Sequence, residues 1–399
     1  MSAAQHLSNE GTVLAVGPNA AARDDARRRW LPQSLSTGSA GLAIAHAMLA
    51  GRQQADEWLA RAVAGGVTVG DGSGLWFGAP AVAFAAAVTD PVRYRTALDC
   101  LDTAIARLVR ARLDAATARL ADASRPALAE FDLVHGLTGL GAYLLTRDPD
   151  GRLLREVLAY LVRLTEPVLA DDECGTGVPG WWTADAPSAG SPLQGHGNLG
   201  MAHGVAGPLA LLALTQRRGI TVAGQSTAID RITGWIGSWQ QEGPDGPWWP
   251  KYVSVHEVRA GRLTQQGPGR PSWCYGTPGI SRALQLAAIA RSDQARQAAA
   301  ERALTRCVTD PRQLAALTDP YVCHGWAGLA ATVWAATADA CTSDLPTTMP
   351  QIIRQLHAAV DTDNGQTTGL INGNPGAAAV LHTITAGSEA SWTRCLLLT

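Results

Sequence analysis

The sequence predicts an all-α fold, an (α/α) toroid of seven repeated helical hairpins with one small β insertion. Two observations carry that prediction. A Gly-x-x-Gly motif leading into an Ala/Leu/Val-rich run recurs along the chain, and the segments between its copies carry a single apolar stripe at helical spacing. A third observation agrees: the repeat runs from Gly38 to beyond Gly376 without an obvious linker, so one large domain is expected from 399 residues rather than two or three.

From the N-terminus, residues 1–30 lack the basic start and apolar core of a signal peptide and are read as an N-terminal segment before a domain over 31–399. The motif then appears at Gly38 to Gly41, Gly136 to Gly139, Gly204 to Gly207, Gly276 to Gly279, Gly325 to Gly328 and Gly373 to Gly376. A degenerate copy starts at Gly78, where Pro80 and Ala81 follow and the second glycine is missing. First glycines are 40 to 72 residues apart by subtraction, too irregular for an open solenoid but suited to one helical hairpin per repeat with insertions.

The runs after the glycines, such as Leu209-Ala210-Leu211-Leu212-Ala213-Leu214, are apolar around most of the circumference, and a helix of that kind must be buried. Between them, Leu153, Leu154, Val157, Leu158 and Leu161 form one stripe, with Arg155, Glu156 and Arg163 on other faces. Ile229, Ile232, Trp235, Ile236 and Trp239 repeat the pattern, as do Ile352, Ile353 and Leu356. Seven buried inner helices alternating with seven half-buried outer ones describe the toroid, whose inner-helix N-termini converge at one end. Residues just before each motif then face one another across a central cavity. The helical texture breaks at about residues 247–266, where Trp248-Trp249-Pro250 leads into Tyr252-Val253-Ser254-Val255 and Ala260-Gly261 could turn a hairpin; a small β excursion is expected there.

No run of 18 apolar residues suggests a membrane span, so the cytosol is the expected location, with membrane contact only through a larger biosynthetic complex. A net charge of −2 gives no electrostatic case for nucleic acid or an anionic membrane. Seven cysteines without an export signal argue against a disulfide framework. Cys100, Cys307, Cys341 and Cys395 fall on predicted helices and read as inert small apolar residues, whereas Cys174, in Glu173-Cys174-Gly175, is expected to be exposed.

Two cysteines differ. Trp273-Cys274-Tyr275-Gly276 and Val322-Cys323-His324-Gly325 set a thiol in the same place before two copies of the motif, with a histidine beside the second. Cys274, Cys323 and His324 together make a three-ligand zinc set. Structural zinc sites use four protein ligands, whereas catalytic sites use three and keep one position open, so the count points to chemistry. A buried thiol is the plain alternative for each cysteine, but it explains neither the shared placement nor the adjacent imidazole.

Taken together, Phe131-Asp132-Leu133-Val134-His135-Gly136, Ala202-His203-Gly204-Val205-Ala206-Gly207, Arg270-Pro271-Ser272-Trp273-Cys274-Tyr275-Gly276 and Cys323-His324-Gly325 resemble the LanC family, the lanthionine synthetase C-like cyclases, over nearly the whole chain. The resemblance implies zinc ligands at Cys274, Cys323 and His324 and catalytic roles for Asp132, His203, Arg270 and Tyr275. Departures lie at Gly78-Ala79-Pro80 and at the polar Asn372-Gly373-Asn374-Pro375, away from those residues.

The reaction so implied is addition of a peptide cysteine across the double bond of a dehydrated Ser or Thr. His203 is the candidate proton donor. A carboxylate at Asp132 would orient it and favour its charged form; Arg270 would stabilise an enolate oxygen or anchor Asp132, and Tyr275 would donate a hydrogen bond at the same place. His135 shares the position of His203 and His324 within its repeat and is assigned a supporting or peptide-contacting role; His196 is assigned to loop structure. Trp181-Trp182 and Trp248-Trp249 read either as an apolar rim or as core. The resemblance further implies a dehydrated precursor peptide with its leader, a separate dehydratase and an export transporter as partners. Two readings of another class compete: a prenyltransferase-like ring, which uses Asp/Cys/His ligands and a partner subunit and which the spacing here fits poorly, and a non-catalytic zinc-bearing peptide-binding scaffold, against which Asp132, His203, Arg270 and Tyr275 together argue.

Overall fold

At the second glycine of each complete motif, the loop that leads into the helix crosses over the helix's first turn. A Cβ added there would lie 2.1 Å from the carbonyl oxygen of Leu35 at Gly41, and at the same distance from Leu133 at Gly139 and Trp273 at Gly279. At Gly328 and Gly376 it would meet Val322 and Leu370 at 1.9 and 1.7 Å. Only a residue without a side chain lets the two backbones approach so closely. In each case the crossing residue sits three positions before the first glycine, is apolar and is buried.

The computed structural model describes residues 13–14, 31–170, 175–188, 190–191, 195–244, 246–364, 367–387 and 390–399. Beyond Val13–Leu14, the N-terminal 1–30 segment lies outside the described residues, as does Cys174. All seven inner helices form where the motif places them: Ser39–Leu49, Ala79–Thr89, Leu137–Arg147, Ala206–Arg217, Thr277–Ala290, Trp326–Ala338 and Asn374–Ala386. Each packs against the next, and the seventh returns to the first, so the ring closes. Burial of the Ala/Leu face on every side supplies the core, at roughly 25 cal/mol per Å² of apolar surface removed from water.

Outer helices follow six of the inner ones, at Arg52–Val63, Arg95–Ala121, Arg152–Arg163, Gln225–Ser238, Gln294–Thr309 and Met349–Thr362. The expected stripes hold: Leu153, Leu154, Val157, Leu158 and Leu161 are buried, as are Ile229, Ile232 and Ile236. The expectation of a seventh outer helix after the last inner one is corrected among the described residues. The segment Ser391–Leu396 instead winds into a 3₁₀ turn against the second and third inner helices. Its buried Trp392, Cys395, Leu396 and Leu398 plug the ring, and the carbonyls of Leu396 and Leu398 accept hydrogen bonds from Trp273 and Arg282. Trp392, Cys395 and Leu396 turn inward, while Ser391 and Arg394 stay partly exposed.

The β excursion is present but begins earlier and ends sooner than expected. Gln241–Gly243 and Gly246–Trp248 form an antiparallel hairpin, and Tyr252–Val253 pairs with Gly197–Asn198. The turn expected at Ala260-Gly261 is instead the end of a helix, Val255–Ala260. Its start is fixed by a capping box, in which Ser254 and Glu257 satisfy each other's backbone N–H groups, and Gly261 closes it in the left-handed region at φ 61°. Cys100, Cys307 and Cys395 lie on helical turns as expected; Cys341 is corrected, sitting exposed just past Trp326–Ala338. No helix among the described residues is long and apolar enough to cross a membrane.

What positions the site is a belt of backbone hydrogen bonds joining the loops that precede the inner helices. Leu35 donates to Trp76, Leu133 to Ala202, Met201 to Cys274, Cys274 to Cys323, Val322 to Ile371, and Ile371 to Ser36. The loops of adjacent repeats are thus held in register, and residues at equivalent places become spatial neighbours.

Candidate functional site

The residue directly before the first glycine is His135, His203, Tyr275 and His324 in four successive repeats. The belt sets them along one arc of the cavity mouth. The rings of His135 and His203 stack with centroids 5.9 Å apart, and those of His203 and Tyr275 at 6.3 Å. A cavity of about 250 Å³ opens beside this arc, lined by Arg270, Cys274, Tyr275 and His324 among others.

Asp132 is buried behind the arc. Its Oδ1 accepts the backbone N–H groups of His135 and Gly136 at 2.6 and 2.8 Å, which holds the turn before the third inner helix and locks the carboxylate. Its Oδ2 lies 2.6 Å from His203 Nδ1 and 3.5 Å from His135 Nδ1. Burial opposes ionisation, but the hydrogen bonds from His135 and His203 outweigh it and hold the Asp132 pKa down to about 2. A carboxylate fixed at Nδ1 leaves Nε2 as the His203 ring nitrogen that Asp132 does not engage.

The thiols of Cys274 and Cys323 interact closely enough to couple their ionisation. That interaction lowers the Cys274 pKa to about 7 against the cost of burial, with the Ser272 hydroxyl adding to the effect at 3.6 Å; it pushes the Cys323 thiol up. The pair therefore loses its first proton more easily than its second, as two neighbouring thiols do. His324 lines the same cavity, but its Nε2 faces Asp319 Oδ2 at 3.5 Å, and the three ligand atoms do not all fall within 4.8 Å of one another. Two soft, easily ionised thiols beside an accessible imidazole fit a zinc ion, with coordination by His324 requiring its half-exposed side chain to turn from Asp319.

Arg270 lines the cavity, yet it faces Asp319 rather than anchoring Asp132, the alternative role expected of it. Its Nη1 lies 3.9 Å from Asp319 Oδ2, so Asp319 stands between Arg270 and His324. Tyr275 receives a hydrogen bond at its hydroxyl from Asn198 Nδ2, 3.3 Å away. The amide is oriented by its own Oδ1, which accepts the Gly200 N–H at 3.0 Å, and its Nδ2 also faces His196 Nε2 at 3.3 Å. His196 Nδ1 in turn meets the Asp185 carbonyl at 3.0 Å, which assigns the ring's proton to Nδ1. His196 thus does more than shape a loop: buried and kept from charging, it supports Asn198. Burial raises the Tyr275 pKa to about 12, so the phenol keeps its proton.

Sequence reasoning missed Asp319, Asn198 and Lys251, whose Nζ lies 4.5 Å from the Tyr275 ring centroid. Asn198 and Asp319 each lie six positions before the first glycine of their repeats, the place that Arg270 holds in its own, so that spacing was a readable signal; Lys251 has no such place and reaches the site through a tertiary contact. Trp181, Trp182, Trp248 and Trp249 are all buried, so they serve as core, with only Trp249 reaching the cavity wall.

A closed α/α ring with a thiol pair and an Asp–His pair at one mouth defines a narrow class of protein. The profile of the lanthionine synthetase C-like proteins matches residues 29–397, and the chain belongs to that family. It is 25% identical over 254 residues to the nisin biosynthesis protein NisC of Lactococcus lactis subsp. lactis. That alignment covers 60% of this chain and 56% of the relative, so it spans a little over half of the relative's length. The solved structure of nisin cyclase shares the fold, with a TM-score of 0.79 over 94% of each chain at 21% identity.

Proposed function

We propose that this protein is a zinc-dependent lanthipeptide cyclase, which adds peptide cysteine thiols to dehydroalanine or dehydrobutyrine and so closes lanthionine or methyllanthionine rings. The observation that carries the reading is the pairing of His203 with Asp132 at 2.6 Å in the same cavity mouth as the Cys274–Cys323 pair. Cys274, Cys323 and His324 would hold the zinc, which when bound supplies the acidification of a substrate thiol near neutral pH.

The remaining chemistry falls to the chain's own residues. Attack of sulfur on the β-carbon forms the C–S bond and moves the double-bond electrons toward the carbonyl oxygen. Arg270 and the proton of Tyr275 face the cavity where that charge develops, and Asn198 leaves the Tyr275 proton free because it donates to the same oxygen. In its protonated form His203, held by Asp132, gives a proton from Nε2 to the α-carbon and takes one back from solvent, which receives the proton of the thiol. No atom is lost. A cavity of about 250 Å³ admits two reacting side chains while the rest of the peptide stays outside.

The natural substrate in this reading is a precursor peptide dehydrated by a separate dehydratase, with export left to another protein, and the reaction belongs in the cytoplasm. Cyclisation by wild-type protein and His203→Asn, compared at equal zinc content near pH 6 to 7, tests it. A loss of roughly 10²–10⁴ in rate is expected, the usual contribution of general acid–base catalysis. Wild-type rates from His203→Asn would favour the non-catalytic peptide-binding scaffold or another proton donor.

A further inference from the structure

Asp132, His135 and His203 gather a second set of ligating atoms at the cavity mouth, distinct from the thiol pair. His203 Nδ1, His135 Nδ1 and Asp132 Oδ2 all lie within 4.8 Å of one another, and among the described residues no other group of three His, Cys, Asp or Glu is so closely set. Both imidazoles address the same oxygen. The other carboxylate oxygen is already occupied by two backbone N–H groups, so Oδ2 has a fixed direction. The His135 carbonyl is held by Arg112, which also grips the carbonyls of Asp71 and Ser73. With His135 52% exposed and His203 34% exposed, the cluster is open to solvent on its imidazole side.

From this geometry we infer a second cation site, in which a divalent transition metal is held by Nδ1 of His135, Nδ1 of His203 and Oδ2 of Asp132, with water completing the shell. Bonds of about 2.0–2.1 Å at tetrahedral angles place ligand atoms about 3.3 Å apart. The 3.5 Å between His135 and Asp132 already meets that spacing. The 2.6 Å between His203 and Asp132 must open by about 0.7 Å, a small rotation for a partly exposed ring. Two imidazoles and one carboxylate suit zinc, cobalt or nickel rather than magnesium or calcium, which prefer all-oxygen shells. Only one formal negative charge faces the cation, and Arg112 interacts with that same carboxylate, so binding is weaker here than at a pair of thiolates.

The cation and the proton compete. A metal between His203 and Asp132 replaces the hydrogen bond that orients the imidazole, so zinc in excess inhibits the protein that one zinc activates. The inhibition rests on the proposed cyclase reading; the binding does not.

The test is cobalt(II) titrated into the metal-stripped 399-residue chain, followed by visible absorption and equilibrium dialysis. Wild type takes up two cobalt ions per chain, the first with sulfur-to-cobalt charge transfer and the second, weaker one without it. His135→Ala keeps only the first, and Cys274→Ala/Cys323→Ala keeps only the second. One cobalt per wild-type chain, carrying the charge-transfer band, or two in His135→Ala, overturns the second site. Loss of the charge-transfer band with the weaker ion retained counts instead against the thiol centre, so the two readings fail separately. In a cyclisation assay, His135→Ala, measured against its own rate at one zinc per chain, needs at least tenfold more excess zinc than wild type for the same fractional loss. Equal sensitivity overturns the inhibitory role.

Discussion

The backbone N–H of Cys274 donates to the carbonyl of Cys323 across 3.3 Å, and this bond between neighbouring loops sets the two thiols side by side. Forty-nine positions separate them in sequence by subtraction. The belt of which that bond is one link converts a repeat in sequence into a ring of neighbours in space, and the chemistry occupies consecutive links.

The first prediction concerns the metal. Alanine at Cys274 or at Cys323 abolishes tight zinc binding, because a single thiol and an imidazole cannot complete the set. Zinc content after dialysis against a chelator measures it, and full tight occupancy in the double variant contradicts the assignment.

Asp132 links the site to stability. Its folded pKa, about 2, is lower than the ordinary 3.8 of an unfolded aspartate, so its stabilising contribution is present above pH 4 and disappears as pH falls from about 4 to about 2. Nearly two units correspond to about 2 kcal/mol. Urea unfolding of wild type should show that loss, whereas Asp132→Asn, less stable at pH 7 by a similar amount, should show a flatter dependence across the same window. Parallel curves for the two proteins contradict the assignment.

The glycine pairs make a structural prediction. Gly328→Ala, whose Cβ would lie 1.9 Å from the Val322 carbonyl, should cost more than about 3 kcal/mol or prevent folding. Gly234→Ala, on an exposed helical face with nothing within 4 Å, should stabilise by about 1 kcal/mol. Thermal unfolding of both variants decides it, and equal melting temperatures contradict the crossing-loop explanation.

Much of this was legible in sequence because the fold repeats. Gly136, Gly204, Gly276 and Gly325 mark where inner helices begin, and a residue's distance from its own glycine gives its address in the ring, which is how His203 and Cys274 could be placed in one cavity. Lys251 has no such address and arrives through a cation–π contact, whereas Asn198 and Asp319 share one, six positions before Gly204 and Gly325, that Arg270 also holds before Gly276. The apolar residue three positions before each glycine, from Leu35 to Leu370, was a readable signal of the crossing loops. That no outer helix follows the last inner one among the described residues was not readable, because Trp392, Cys395 and Leu396 look the same whether they pack outside the ring or plug it.

Asn198→Leu tests the support of Tyr275. Removing one orienting hydrogen bond, worth about 1–1.5 kcal/mol, should slow cyclisation about tenfold while zinc content stays at wild-type level. An unchanged rate removes Asn198 from the site.

Most direct is the count of thiols in a dehydrated, cysteine-containing precursor peptide before and after incubation with the zinc-loaded protein. Near pH 6 to 7, where uncatalysed addition is slow, alkylation followed by mass measurement should show free thiols disappearing while the mass of the unalkylated peptide stays constant, since addition within one molecule loses no atom. An unchanged thiol count with an authentic precursor, from protein carrying one zinc per chain, contradicts the cyclase reading.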